Sequence, residues 1–285
     1  MIRINDILNI PIQEINKYNV HLACIDTTAQ LSEHPLNVFW RNEDEYLGWQ
    51  EWKGNLKEDN SAVKREKFSR NYILSFAQVY YEGINIHLFT GVYEIVERFD
   101  TSYKCKRIEM FENLIGRLKI NYRRPSRIAS YLFDSVFYNN AIVHEILSEP
   151  MTCKTFPGLD KINEKFEHIN TVIKNVNPQW KSILENLKGV YLLVDDSSNK
   201  KYIGSAYGEF GIWSRWSNYV YGFTGGNKGL DDLHKHVGEE HFKKFFRFVL
   251  LEYFTNKTPD EFVIQREKFW KQALNTYNPI GYNHN

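Results

Sequence analysis

Cysteine is scarce in this chain of 285 residues: Cys24, Cys105 and Cys153 stand far apart, with no CxxC pair. That excludes a disulfide framework and a cysteine zinc site, and it suits a reducing compartment, so a cytoplasmic location is expected. Long apolar runs are missing too. The richest stretch, Phe245 to Phe254, is broken by Arg247 and Glu252, so no membrane-spanning segment and no membrane partner is expected. The opening Met1-Ile2-Arg3-Ile4-Asn5-Asp6 turns charged and polar too early for a signal peptide. Charge of one sign is also lacking, with 36 Lys+Arg against 35 Asp+Glu and a net charge of +1. This balance excludes a polybasic protein held to DNA or membrane by bulk charge, but leaves room for a local positive patch. At 42% hydrophobic and 25% charged residues, the composition is that of a globular protein rather than a disordered or collagen-like one. Aromatic residues are what the chain has in plenty: 15%, from 7 Trp, 18 Tyr and 19 Phe. Such side chains build cores or offer stacking platforms for bases.

The first half reads as β-rich α+β. Tyr72 to Tyr81, Ile84 to Thr90 and Gly91 to Val96 are strand candidates, with a turn at Glu82-Gly83. The Trp-dotted stretch from Trp40 to Asn60 lacks a period and is expected to be loop-rich. Residues 100–131 are basic, with a local excess of +5 that includes Arg117, Arg123, Arg124 and Arg127. This is either a solvated face or a patch that tracks phosphates. Ile162, Phe166, Ile169, Val172 and Ile173 then recur at helical spacing, and Trp180, Ile183, Leu184 and Leu187 continue after Asn177-Pro178. The organisation expected is a DNA-recognition domain over 1–160, a helical connector over 161–188 and a second domain over 189–285.

In that last region Gly189 to Val194 is a buried-strand pattern, and Lys201 to Ala206 returns as a second strand after a turn. Ile212 to Tyr219 is helical in character and puts Arg215 and Tyr219 one turn apart on one face. Phe245 to Phe254 is a third strand candidate. Thr258-Pro259-Asp260-Glu261 has the form of a helix start, and Phe262, Ile264, Phe269, Trp270 and Leu274 of that helix are expected in the core. Glu267 lies on the same helix. Close to the end of the sequence stands Gly281-Tyr282-Asn283.

The ordered set Gly189-Val190-Tyr191, then Tyr202-Ile203-Gly204 with Tyr202 eleven residues after Tyr191, then Arg215, Glu267 and a final Gly-Tyr-Asn resembles the GIY-YIG endonuclease superfamily over residues 183–285. Order and spacing carry the resemblance. Gly91-Val92-Tyr93 repeats the first tripeptide, but no YIG, Arg or Glu follows it in register. The resemblance implies a module of three antiparallel strands flanked by helices that hydrolyses phosphodiesters with a divalent metal, Mg²⁺ or in its place Mn²⁺. It implies Glu267 as the metal ligand, a hard carboxylate oxygen suited to that ion. Arg215 would stabilise the charge developing on the phosphate. It further implies Tyr191 as general base, Tyr202 as a group orienting water or phosphate, Tyr219 in a position shared by histidine and tyrosine among relatives, and Asn283 as a positioning residue. Taken singly, each of these is an ordinary strand tyrosine, surface cation or helix acid.

Lys201, Lys228 and the loop Gly225 to Gly229 are weaker DNA-contact candidates, since such loops are more often simple turns. His234, His236 and His241 show no metal-ligand pattern and are expected on the surface. The whole is expected to be an endodeoxyribonuclease acting on double-stranded DNA, of restriction or phage-defence type. Alternatives are a nuclease that cuts only modified DNA, and a non-catalytic DNA-binding protein whose nuclease module has lapsed. Base recognition in the first half would fall to Trp40, Trp49, Trp52 or Tyr81, or to none of them if these are core. A homodimer would let one active site per chain cut both strands.

Overall fold

The computed structural model describes residues 1–25, 34–53, 66–125 and 128–284. The chain forms two compact units, Met1–Met151 and Thr152–Asn285. Its class is mixed α/β, with ten α-helices among the described residues, one mixed sheet and one antiparallel sheet.

The first unit contains α1 (Ile4–Leu8), β1 (Tyr18–Ala23), α2 (Pro35–Arg41), α3 (Glu43–Glu51), β2 (Tyr72–Gln78), β3 (Ile86–Arg98), β4 (Tyr103–Ile108), β5 (Leu118–Asn121), β6 (Ser130–Leu132), α4 (Ser135–Asn140) and β7 (Ile142–Ile146). Its seven strands run in the order β6-β1-β2-β3-β5-β7, with β4 also paired to β3. β1 and β2 are parallel and the remaining pairings are antiparallel. The two strands expected on either side of residue 90 are one strand, β3, bent where its register against β2 shifts between Ser75 and Phe76. A bulge absorbs the extra residue, so the break in alternation marks a kink rather than an end. The stretch expected to be loop-rich holds α2 and α3. His34 and Asn42 cap them through side-chain acceptors, and Pro35 opens α2. Helices this short carry too few turns for an apolar period to show.

The second unit contains β8 (Asn163–Lys165), α5 (Phe166–Lys174), α6 (Pro178–Leu184), β9 (Leu187–Asp195), β10 (Lys201–Ala206), α7 (Gly211–Gly222), α8 (Lys228–Val237), α9 (Glu239–Phe245), β11 (Phe246–Thr255) and α10 (Asp260–Ala273). The sheet has four strands, β10-β9-β11-β8, not three; the short β8 adds to β11 through Asn163–Lys165. The segment expected as a connector is part of this unit. Phe166, Ile169, Trp180 and Leu184 share a core with Tyr191, Leu193, Trp216 and Phe248. On the opposite sheet face Val190, Leu192, Val194 and Ile203 pack with Val263 of α10. Helices thus cover both faces, which is why β9 reads as an unbroken apolar run.

α10 departs from expectation. It starts at Asp260 without a side-chain cap, and Val263 is its fully buried residue. Phe262, Phe269 and Leu274 are exposed, because its apolar residues spread around the helix while only one stripe meets the sheet. No helix among the described residues is long and apolar enough to cross a membrane.

Candidate active site

Two glycines shape the β9–β10 ladder. Gly204 lies opposite Tyr191, and a Cβ on it would stand 2.4 Å from the Tyr191 hydroxyl. A Cβ on Gly189 would stand 2.7 Å from the Glu252 carbonyl oxygen. The missing side chains let the Tyr191 ring fold across its neighbour strand and let β11 close on β9. Both glycines serve close approach.

Tyr191 and Tyr219 are fully buried, and their hydroxyls are 3.0 Å apart. Arg215 donates from Nε to the Tyr191 hydroxyl at 2.9 Å and from Nη1 to the Gly225 carbonyl at 3.0 Å. Its guanidinium also sits 5.3 Å from the centre of the Tyr219 ring, one helical turn away on α7. Burial raises the Tyr191 pKa, and Tyr202 adds to the rise, while Arg215 opposes it. Burial likewise pushes Tyr219 well above the ordinary value. Both phenols are therefore protonated at neutral pH. Burial works against the charge on Arg215, but the neighbouring Tyr191 and Tyr219 oxygens outweigh it and hold the guanidinium protonated.

A cavity of about 390 Å³ opens beside this cluster, lined among others by Tyr202, Ser205, Glu209, Ser214, Arg215 and Glu267. It wraps the end of β10, which contributes Tyr202 and Ser205, and is closed by α7 and α10. Three of the residues picked out by the motif, Tyr202, Arg215 and Glu267, meet here; Tyr191 and Tyr219 stand behind Arg215. The Glu267 carboxylate is gripped on both oxygens. Ser205 Oγ donates to Oε2, and Lys271 Nζ lies 2.7 Å from Oε1. Sequence reasoning missed both partners. The signals were present: Lys271 follows Glu267 by four residues, a helix ion-pair spacing, and Ser205 is a polar interruption in an otherwise apolar strand.

Asn283 is 2% exposed and does not line the cavity. Its side-chain amide accepts from the Ile203 N–H at 2.9 Å and donates to the Ile203 carbonyl at 2.8 Å, completing the free edge of β10 as a further strand would. The preceding Tyr282 donates at 2.7 Å to Asp195, which also accepts from Ser197, Ser198 and His241. Burial opposes ionisation of Asp195, but these bonds win and hold it down at about 2. The tripeptide is thus sewn to both strands of the β9–β10 hairpin. His241 and His234 are half-buried rather than on the surface; His234 stacks on Phe223 at 5.6 Å, while His236 is exposed.

The basic candidates are dispersed. Lys228 is exposed at the start of α8, and Lys201 is half-buried with Nζ on the Asn199 carbonyl at 3.1 Å. In the first unit Arg123 is exposed, Arg124 donates to Cys24 Sγ at 2.6 Å, and Arg117 donates to the Leu147 and Asn113 carbonyls. Arg127 lies outside the described residues. Part of the local excess of +5 is offset in space, at three of its eight cations. Lys106 pairs with Glu94, Arg107 with Glu43 and Glu112, and buried Lys119 with Glu82 and Glu145. A count along the chain cannot see acids supplied by other segments. Trp40 is buried, Tyr81 is half-buried, and Trp49 and Trp52 line an apolar groove of about 420 Å³ with Val38.

Glu267 suits a hard divalent cation that takes one protein carboxylate and completes its shell with water and phosphate. Among the described residues, the group with metal-ligand spacing is elsewhere: Glu82, His144 and Glu145. The Lys119 ammonium already lies within 2.8 Å of both of those carboxylates and serves as their cation. Compared with known proteins, the chain gives no match to a family model, to a curated protein or to a solved structure.

Proposed function

We propose that the chain is a divalent-metal-dependent DNA endonuclease of GIY-YIG type, its second unit carrying the active site and its first unit reading DNA. One observation carries this reading. Tyr202, Arg215 and Glu267, far apart in sequence, line one polar cavity, with the buried Tyr191 and Tyr219 hydroxyls buttressing the arginine.

On this reading a phosphodiester enters with an oxygen against Arg215. Two of the guanidinium's N–H groups are committed to Tyr191 and Gly225, which fixes its plane, and the others are left for phosphate oxygens. A guanidinium held this way reaches the transition state without reorganising. When bound at Glu267, Mg²⁺ would polarise the phosphate and ease departure of the leaving oxygen. Tyr202, a phenol lining the cavity, would orient a water there for attack. Tyr191 keeps its proton in the resting site, so its task there is to aim Arg215. Asn283 contributes by holding the β10 edge on which Tyr202 and Ser205 stand.

A separate unit in addition to the active-site unit suits a restriction or phage-defence enzyme, whose specificity must come from outside the chemistry. Incubating the protein with Mg²⁺ and unmodified, methylated or hypermodified phage DNA, then sequencing the ends, tests both activity and preference. Cutting is expected with the parent and lost in Glu267→Ala and Arg215→Ala, with DNA binding retained. Equal cutting by all three proteins would refute the assignment.

A further inference from the structure

The grip on Glu267 has a consequence for when a metal can bind. Lys271 and Glu267 are a close pair on α10, 2.7 Å apart, with side chains only 13% and 16% exposed. The charged side chains lining the cavity are Arg215, Glu209 and Glu267, and Lys271 stands against Glu267. Those charges cancel. A divalent ion entering alone would meet a carboxylate whose charge is already answered, with the Arg215 guanidinium facing the same cavity. In a partly desolvated site such repulsion is much stronger than in water. A phosphodiester brings one negative charge into the same cavity and offsets it.

We propose that Lys271 is a resident counter-cation that keeps the divalent-ion affinity of Glu267 low until a phosphodiester occupies the cavity, so that metal and DNA bind cooperatively. The inference rests on the nuclease reading of Glu267 as the metal ligand. Ser205 takes a complementary part: its hydroxyl holds the second carboxylate oxygen in place without adding charge. Coupling of this kind is reciprocal, so the metal must tighten DNA binding by the same factor.

The test measures Mn²⁺ affinity by electron paramagnetic resonance, counting the free ion, with no DNA present. Lys271→Met is expected to bind Mn²⁺ about tenfold more tightly than the parent, since a neighbouring positive charge has gone. Lys271→Arg keeps the charge and is expected to match the parent. Adding Glu267→Gln to Lys271→Met is expected to abolish the gain. Unchanged or weaker binding by Lys271→Met would overturn the proposal, and so would a gain that survives in the double variant. A second arm adds a short DNA duplex and compares the parent with Glu267→Gln, which subtracts ions bound by the DNA itself. The difference between them is expected to grow with DNA, and a constant difference contradicts coupling. Failure of the nuclease reading shows separately, as absence of Mg²⁺-dependent cutting by the parent, and leaves the Mn²⁺ comparison intact.

Discussion

The tripeptide Gly-Val-Tyr occurs twice, and its two copies have different surroundings. Gly91-Val92-Tyr93 lies on β3 just after the bulge, with Gly91 at φ +127°. The Tyr93 hydroxyl reaches a backbone carbonyl, that of Thr90, at 3.5 Å, and Arg107 on the facing strand is committed to Glu43 and Glu112. Gly189-Val190-Tyr191 lies on β9, in regular register with β10 but facing a bulge of β11 between Leu250 and Glu252, and there the Tyr191 hydroxyl receives an N–H from Arg215, whose own side chain faces a cavity. Both tyrosines are buried and burial raises both pKa values. The two tyrosines differ in the partner of the hydroxyl: a carbonyl ends the chain of interactions at Tyr93, whereas a guanidinium extends it from Tyr191 to a cavity.

The comparison can be broken by mutation. The largest effect is expected at the charged groups, where Arg215→Ala and Glu267→Ala should each reduce DNA cleavage by about 10²–10³-fold or more, followed by gel assay under single-turnover conditions. Tyr191→Phe removes the hydroxyl that aims Arg215 and should slow cleavage by about tenfold to a hundredfold, while Tyr93→Phe leaves the rate unchanged. Equal effects at the two tyrosines would erase the distinction. Gly204→Ala would drive a methyl into the Tyr191 ring and should cost about 1–3 kcal/mol in urea unfolding, with loss of cleavage.

The smallest effect concerns the hairpin latch. Asp195 is 1% exposed and its pKa is held at about 2, below its ordinary 3.8. A depressed carboxylate pKa stabilises the fold above the unfolded value and loses that contribution as pH falls through the folded one. Asp195→Asn should therefore cost about 2 kcal/mol at pH 7, a gap that closes between about pH 4 and pH 2. Denaturation at stepped pH checks the sign. A gap that widens on acidification would mean that the latch does not depend on the ionised carboxylate.

These features were unevenly legible in the sequence. β9, β10 and the helix bearing Arg215 and Tyr219 announce themselves, because apolar runs, a turn cluster and helical spacing are all local signals. So does the helix bearing Glu267, although its buried face does not: Phe262 and Phe269 look like core, but only tertiary packing decides that Val263 is inside. β8 is three residues long and wholly polar, Asn-Glu-Lys, so nothing in it says strand until β11 supplies a partner. The Ser205–Glu267–Lys271 grip joins residues 62 apart across a strand and a helix, and its distant half has no local trace. The basic segment is the opposite case. Its charge is plain along the chain, and its partial neutralisation by Glu43, Glu82, Glu94 and Glu145 exists only in the fold.

The measurement that bears most directly on the central claim is Mg²⁺-dependent cleavage of DNA by the parent, Arg215→Ala and Tyr93→Phe proteins, each first shown to be folded by circular dichroism. Cleavage by the parent and by Tyr93→Phe at one rate, with Arg215→Ala inactive, is the predicted result. Cleavage by Arg215→Ala as fast as the parent, or none by a folded parent on any of the DNAs tried, would contradict it.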